Sequence, residues 1–199
     1  MTNLERRFIT ARRAAITADF QKLNPRQQEG VLTTEGPRDV WASTFHSACV
    51  RILRRDIEKL GYTRSFTIYD DDDQMSALKE ILKKLNIDDK FLPPREIKSK
   101  VSDAKNKLLG PQDWFAQSER DYRSQMVYDV YNAYEEKLKS SNSLDFDDLI
   151  VKTLELFAQH PPVLEAYQRK LRYIHVDEYQ DTNYAQYMLV RLLAAQSRN

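Results

Sequence analysis

Residues 173–183 read Tyr-Ile-His-Val-Asp-Glu-Tyr-Gln-Asp-Thr-Asn. Tyr173, Ile174 and Val176 are β-branched or aromatic and bounded by polar residues, which predicts a short buried strand. Asp177 and Glu178 then fall at its carboxyl end. In open α/β sheets, ligands sit outside the carboxyl ends of the strands. A carboxylate placed there can hold Mg²⁺ beside bound phosphates, because Mg²⁺ takes a few hard oxygen ligands and keeps several waters. The neighbouring carboxylate points elsewhere and can orient or deprotonate an attacking water. The plainer reading is a strand that ends in a solvated acidic turn.

The longer string Val-Asp-Glu-Tyr-Gln-Asp-Thr-Asn (176–183) resembles the Walker B motif of superfamily 1 DNA helicases of the UvrD, Rep and PcrA type. The resemblance implies that Asp177 holds Mg²⁺, Glu178 is the catalytic base and Gln180 contacts the nucleotide site. Three further strings stand in family order. Leu-Asn-Pro-Arg-Gln-Gln-Glu (23–29) resembles the adenine-reading Q motif, with Gln27 at the matching position. An amide there offers both a donor and an acceptor to an adenine edge. Thr44, Phe45, His46 and Ser47 resemble motif Ib, which touches single-stranded DNA. Asp-Phe-Asp-Asp-Leu (145–149) resembles a string whose Phe lies near the DNA strand, here Phe146. On the residues alone, His46 either donates to a phosphate from a helix start or is a buried or capping His. Phe146 either stacks on a base or is plain core.

Two family features are missing, a phosphate-binding loop and a neighbouring segment with a Thr-Asn-Lys-Ala-like DNA contact. After Val31-Leu-Thr-Thr-Glu-Gly-Pro37 the family runs into a strand and a Gly-rich loop ending Gly-Lys-Thr, whose N–H groups and Lys wrap phosphates. Here Arg38-Asp39 leads straight into Val40-Trp41-Ala42, and no Gly-Lys pair occurs anywhere. The junction reads as an internal deletion between two stretches that each match the family.

Composition sets the class. The 199 residues suffice for one domain or two small ones, and 41% hydrophobic content supports a real core. Four Gly and 31% charged residues favour a soluble, mostly helical protein. The single Cys49 excludes an internal disulfide and agrees with a reducing compartment. A net charge of +1 does not by itself point to nucleic acid, so any DNA site must come from local clustering. No apolar run approaches the roughly 20 residues of a membrane span. Arg12 and Arg13 interrupt the apolar residues of the N-terminus, which argues against a secretory signal. The expectation is a cytoplasmic protein with no membrane partner.

Along the chain, residues 3–21 read as an amphipathic helix or arm, and Asn24-Pro25 as a helix start. A strand is expected over 40–44, and a helix over 46–60 with Cys49, Ile52, Leu53, Ile57 and Leu60 inward. Phe66–Tyr69 reads as a second strand. Asp70–Asp73 suit a helix N-terminus, with Met75, Leu78, Ile81, Leu82 and Leu85 as its stripe. Pro93-Pro94 opens a helix with Ile97, Val101, Ala104 and Leu108 inward. Lys98, Lys100, Lys105 and Lys107 are assigned to its other faces. They are either a path for a DNA backbone, in which Lys98 and Lys105 are candidates, or a solvated face. A long helix follows over 121–139. Others start near Ser143 and Pro161, and a last one carries Tyr187, Met188, Leu192 and Leu193.

The expected architecture is α/β and predominantly helical, a remnant of a parallel-sheet P-loop NTPase core with an inserted all-helical subdomain. Residues 1–69 and 161–199 are assigned to the core and 70–160 to the insertion. The resemblance implies part of an ATP-dependent 3′–5′ helicase that couples ATP hydrolysis to translocation on single-stranded DNA and to duplex unwinding. ATP and Mg²⁺ are the implied cofactors, and single-stranded and duplex DNA the implied partners. The alternative is a non-catalytic DNA- or protein-binding helical module or a truncated remnant, because the phosphate-binding loop and the family's second motor domain are absent from the sequence.

Overall fold

The structure, a computed structural model, describes residues 41–196. Helix α1 (Phe45–Asp56) buries Cys49, Ile52 and Leu53 on one face. A 3-10 turn over Ile57–Leu60 continues that face with Ile57 and Leu60. Gly61 closes it at φ 76°, a left-handed position that suits a residue without Cβ. The chain then forms β1 (Thr67–Ile68). It enters α2 (Asp71–Lys84) through a capping box between Asp70 and Asp73. The four-acid run is therefore a helix start, as its charge pattern implies.

Helix α3 (Pro94–Asn106) has proline in its first turn and buries Ile97, Val101 and Ala104. The short α4 (Pro111–Gln117) leads to the long α5 (Tyr122–Ser140), capped by Asp121 and buried through Val127, Val130, Tyr131, Tyr134 and Leu138. Strand β2 (Ser143–Leu144) pairs in parallel with β1, Thr67 opposite Ser143 and Ile68 opposite Leu144. Directly after it, Asp145 and Asp148 form the capping box of α6 (Phe146–Gln159). Helix α7 (Pro161–Lys170) follows. A 3-10 turn over Tyr179–Asp181 then leads to α8 (Tyr184–Ala194), capped by Asn183 and Gln186.

One core is built from α2, α3 and α5, around Leu78, Leu82, Ile97, Val101, Val130, Tyr134 and Leu138. Beside it α6 is the hub: it packs against α1, α3, α7 and α8. Residues Phe45–Asn199 cluster as one compact unit by their own contacts. No helix among the described residues is long and apolar enough to cross a membrane.

Several expectations change. Residues 173–176 are not a strand, and neither are 41–44. The parallel pair β1–β2 is the only ladder among the described residues. A strand is stable only beside a neighbour, since its N–H and C=O groups otherwise stay with water. Tyr173 is accordingly 75% exposed. The strand over 66–69 shortens to Thr67–Ile68. In α8 the buried stripe is Ala185, Leu189 and Leu193, while Tyr187 faces outward. Leu85 is the C-cap of α2 rather than part of its stripe, and is exposed. The N-terminal arm and the Q-motif string with Gln27 lie outside the described residues.

Candidate functional site

His46 and Phe146 are a hundred positions apart in sequence, yet their rings meet edge to face at 5.8 Å with an interplanar angle of 72°. Each sits in the first turn of its helix, α1 and α6. Phe146 is 49% exposed, so it is not core. A half-exposed ring whose orientation is set by an edge contact is what a base needs for stacking. Thr44 is exposed and Phe45 half-buried just before and at the start of α1. The two motifs expected to touch DNA thus supply one continuous surface from His46 to Phe146.

Beneath Phe146 lies a buried charge cluster. Lys105 is 3% exposed. Its Nζ donates to Asp145 Oδ2 and to Asp148 Oδ1, each at 2.8 Å. Glu135 Oε1 from α5 lies 2.8 Å from the same nitrogen as an ion pair. The Tyr134 hydroxyl donates to Asp145 Oδ2 at 3.1 Å. Burial lowers the Lys105 pKa, but Asp148, Asp145 and Glu135 together outweigh it and hold the ammonium well above its ordinary value. Lys105 is therefore not a contact for a DNA backbone: its charge is spent on three carboxylates in the interior. Lys98 stays half-buried at the surface and pairs with Asp71 at 2.6 Å. Lys100 sits 3.8 Å from Glu96.

Next to Lys105, Asn106 Nδ2 donates to Asp147 Oδ1 at 3.4 Å, and its Oδ1 accepts from Asn183, the cap of α8. Asp147 adjoins Phe146. Burial raises its pKa, with Asp145 in support and Ser102, Lys105 and His46 opposing. The end of α3 thus touches the start of α6 and the start of α8.

The carboxylates of the 173–183 string sit in an exposed turn. Asp177 Oδ1 accepts from the Glu178 backbone N–H at 3.1 Å. Glu178 has φ 50° and ψ 41°, a left-handed position that a non-glycine residue adopts only under local constraint. The Gln180 amide donates to Glu178 Oε2. Glu178 and Gln180 are therefore brought together, while Asp177 Oδ1 is engaged by the Glu178 N–H. Among the described residues no group of three or more His, Cys, Asp and Glu side chains is gathered as a metal ion would need. Mg²⁺ beside a nucleotide relies on one or two carboxylates together with the phosphates themselves. Asp177 and Glu178 are oxygen donors of the kind such a site uses, but the chain has no Gly-Lys pair to hold the phosphates that would complete it, and no chemical step is assigned to them.

The sequence matches the model of the UvrD/REP helicase N-terminal domain over residues 10–199. The chain belongs to that family. It is 55% identical over 164 residues to the ATP-dependent DNA helicase PcrA of Bacillus subtilis (strain 168), covering 82% of this chain and 22% of the relative. To the protein of the same description from Staphylococcus aureus (strain Mu50) it is 55% identical over 161 residues, 80% of this chain and 22% of the relative. To that of Staphylococcus epidermidis it is 52% identical over 169 residues, 84% and 23%. The chain thus spans under a quarter of the length of these curated relatives. As a member of the UvrD/REP helicase N-terminal domain family it is a predominantly helical α/β chain.

Against that family, the sequence reading missed the Lys105 cluster. The signal was present. Ile97, Val101, Ala104, Lys105 and Leu108 recur at the spacing of one helix face, which puts Lys105 in line with the apolar residues. Asp145 and Asp148, three apart at a helix start, supply the matching charges.

Proposed function

We propose that this chain carries the single-stranded-DNA contact of a UvrD-type 3′–5′ helicase, a cytoplasmic motor that couples ATP hydrolysis to translocation and duplex unwinding. The meeting of His46 with Phe146 carries the reading. Two motifs far apart in sequence place an imidazole and a half-exposed aromatic face side by side. The ring offers a stacking platform that accepts any base, and the imidazole offers a phosphate donor. Thr44 and Phe45 flank that platform, and Lys98, which would exchange its Asp71 partner for a phosphate, is the candidate contact for a duplex backbone. Fluorescence anisotropy with labelled oligo(dT) tests it. Phe146→Ala should weaken binding about tenfold, the scale of one base–aromatic stack. Unchanged affinity contradicts the assignment.

A second reading is favoured for this polypeptide by a specific feature, the absence of any Gly-Lys pair. Without a phosphate cradle the chain works as a DNA-binding module, and Asp177, Glu178, Gln180 and Gln27 keep nucleotide roles only where such a loop is supplied. The chain should bind oligo(dT) while hydrolysing no ATP. Steady ATP turnover by the purified chain, lost in Glu178→Gln, would overturn this reading.

A further inference from the structure

We infer that Lys105 is a positioning residue for the DNA contact: its buried ammonium locks the capping box that aims Phe146 at the strand. This rests on the reading of Phe146 as a DNA contact and adds the device that holds it there.

The geometry is reciprocal. Asp145 Oδ1 accepts from the Asp148 N–H at 2.8 Å, and Asp148 Oδ2 accepts from the Asp145 N–H at 3.3 Å. Those two bonds fix the turn in which Phe146 is the first helical residue. Each carboxylate uses its other oxygen on Lys105 Nζ, both at 2.8 Å. Asp145 and Asp148 are 2% and 1% exposed, so water does not compete for those oxygens. Carboxylates so buried must be paired, take up a proton or move. Without the ammonium, Asp145 and Asp148 lose the donor that ties their outer oxygens to α3, the box is no longer held, and Phe146 loses its fixed direction beside His46. The tie is also long-range: Lys105 lies 40 and 43 positions before its two partners. An ordinary capping box is local in sequence; this one is held from another helix.

Lys105→Met alone leaves buried unpaired carboxylates and risks unfolding. The working variant is therefore Lys105→Met with Asp148→Asn, which removes the ammonium together with one carboxylate charge, leaves an amide oxygen at position 148 to accept from the Asp145 N–H, and keeps Asp145 as the cap with the Tyr134 hydroxyl still donating to it. A melting curve establishes that it is folded. Two readouts follow. In the NMR spectrum the wild-type chain should show a nuclear Overhauser effect between the His46 and Phe146 rings, and the variant should lose it. In oligo(dT) binding the variant should lose about as much affinity as Phe146→Ala, roughly tenfold by the scale of one stacked base. Combining it with Phe146→Ala should cost nothing more, because residues acting through one contact are not additive. A retained ring contact, or losses that add in full, overturns the positioning role. If Phe146→Ala leaves affinity unchanged, the DNA reading fails and the functional half of the inference fails with it, while the ring contact still decides whether Lys105 orients Phe146.

Discussion

At the scale of the residue, Asp148 is the group whose charge state is set by the fold. Burial is the largest influence and pushes its carboxyl up from 3.8 to about 7, with Lys105 opposing and Asp145 and Glu135 adding to the rise. Tyr62, Tyr131, Tyr134 and Lys152 also feel its charge. Because the folded value lies above the unfolded one, the folded chain holds the extra proton between them. Its contribution to stability is present at low pH and is lost as pH rises through about 7. Urea unfolding of the wild type and Asp148→Asn at about pH 5 and about pH 8 reads this directly. The wild type should gain on the variant toward the lower pH. A difference that does not change with pH contradicts the assignment. Lys105→Ala strips the compensating charge and should cost about 3–5 kcal/mol.

At the scale of the element, the two aspartate-capped helix starts separate capping from charge burial. Asp70 caps α2 at an exposed position, and Asp70→Ala should cost about 0.5–2 kcal/mol. Asp145 caps α6 in the interior, where it also takes hydrogen bonds from Lys105 and Tyr134. Asp145→Ala should cost about 3–5 kcal/mol, the scale of breaking a buried pair. Equal losses by chemical denaturation would mean that the buried network adds nothing to the cap. The helices were legible in the sequence because their information is local. Pro94, the Asp70–Asp73 run and the stripe Val127, Val130, Tyr131, Tyr134 and Leu138 each specify a start or a face without reference to the rest of the chain. The string at 173–176 has strand-forming residues but no strand, because pairing is a property of neighbours. Lys105 was misread for the opposite reason: residue type suggested surface, whereas helical spacing pointed inward.

For the whole molecule, the helices around α2, α3 and α5 close a complete core, whereas 173–182 is mostly exposed turn. We propose that the insertion expected over 70–160 is the stable part. Native-state hydrogen exchange should show strong protection there and fast exchange over 173–182. The reverse pattern contradicts it. The four motif strings made the family legible in the sequence, and the ring pair legible only as two separate motifs. That His46 and Phe146 touch depends on α1 packing against α6, which no local signal encodes. Photocrosslinking tests the central claim most directly. Oligo(dT) carrying 5-iodouracil is irradiated with the chain, and the attached peptide is sequenced by mass spectrometry. The crosslinks should fall on His46 or Phe146. Efficient crosslinks confined to other residues, with neither of these two labelled, would contradict the account.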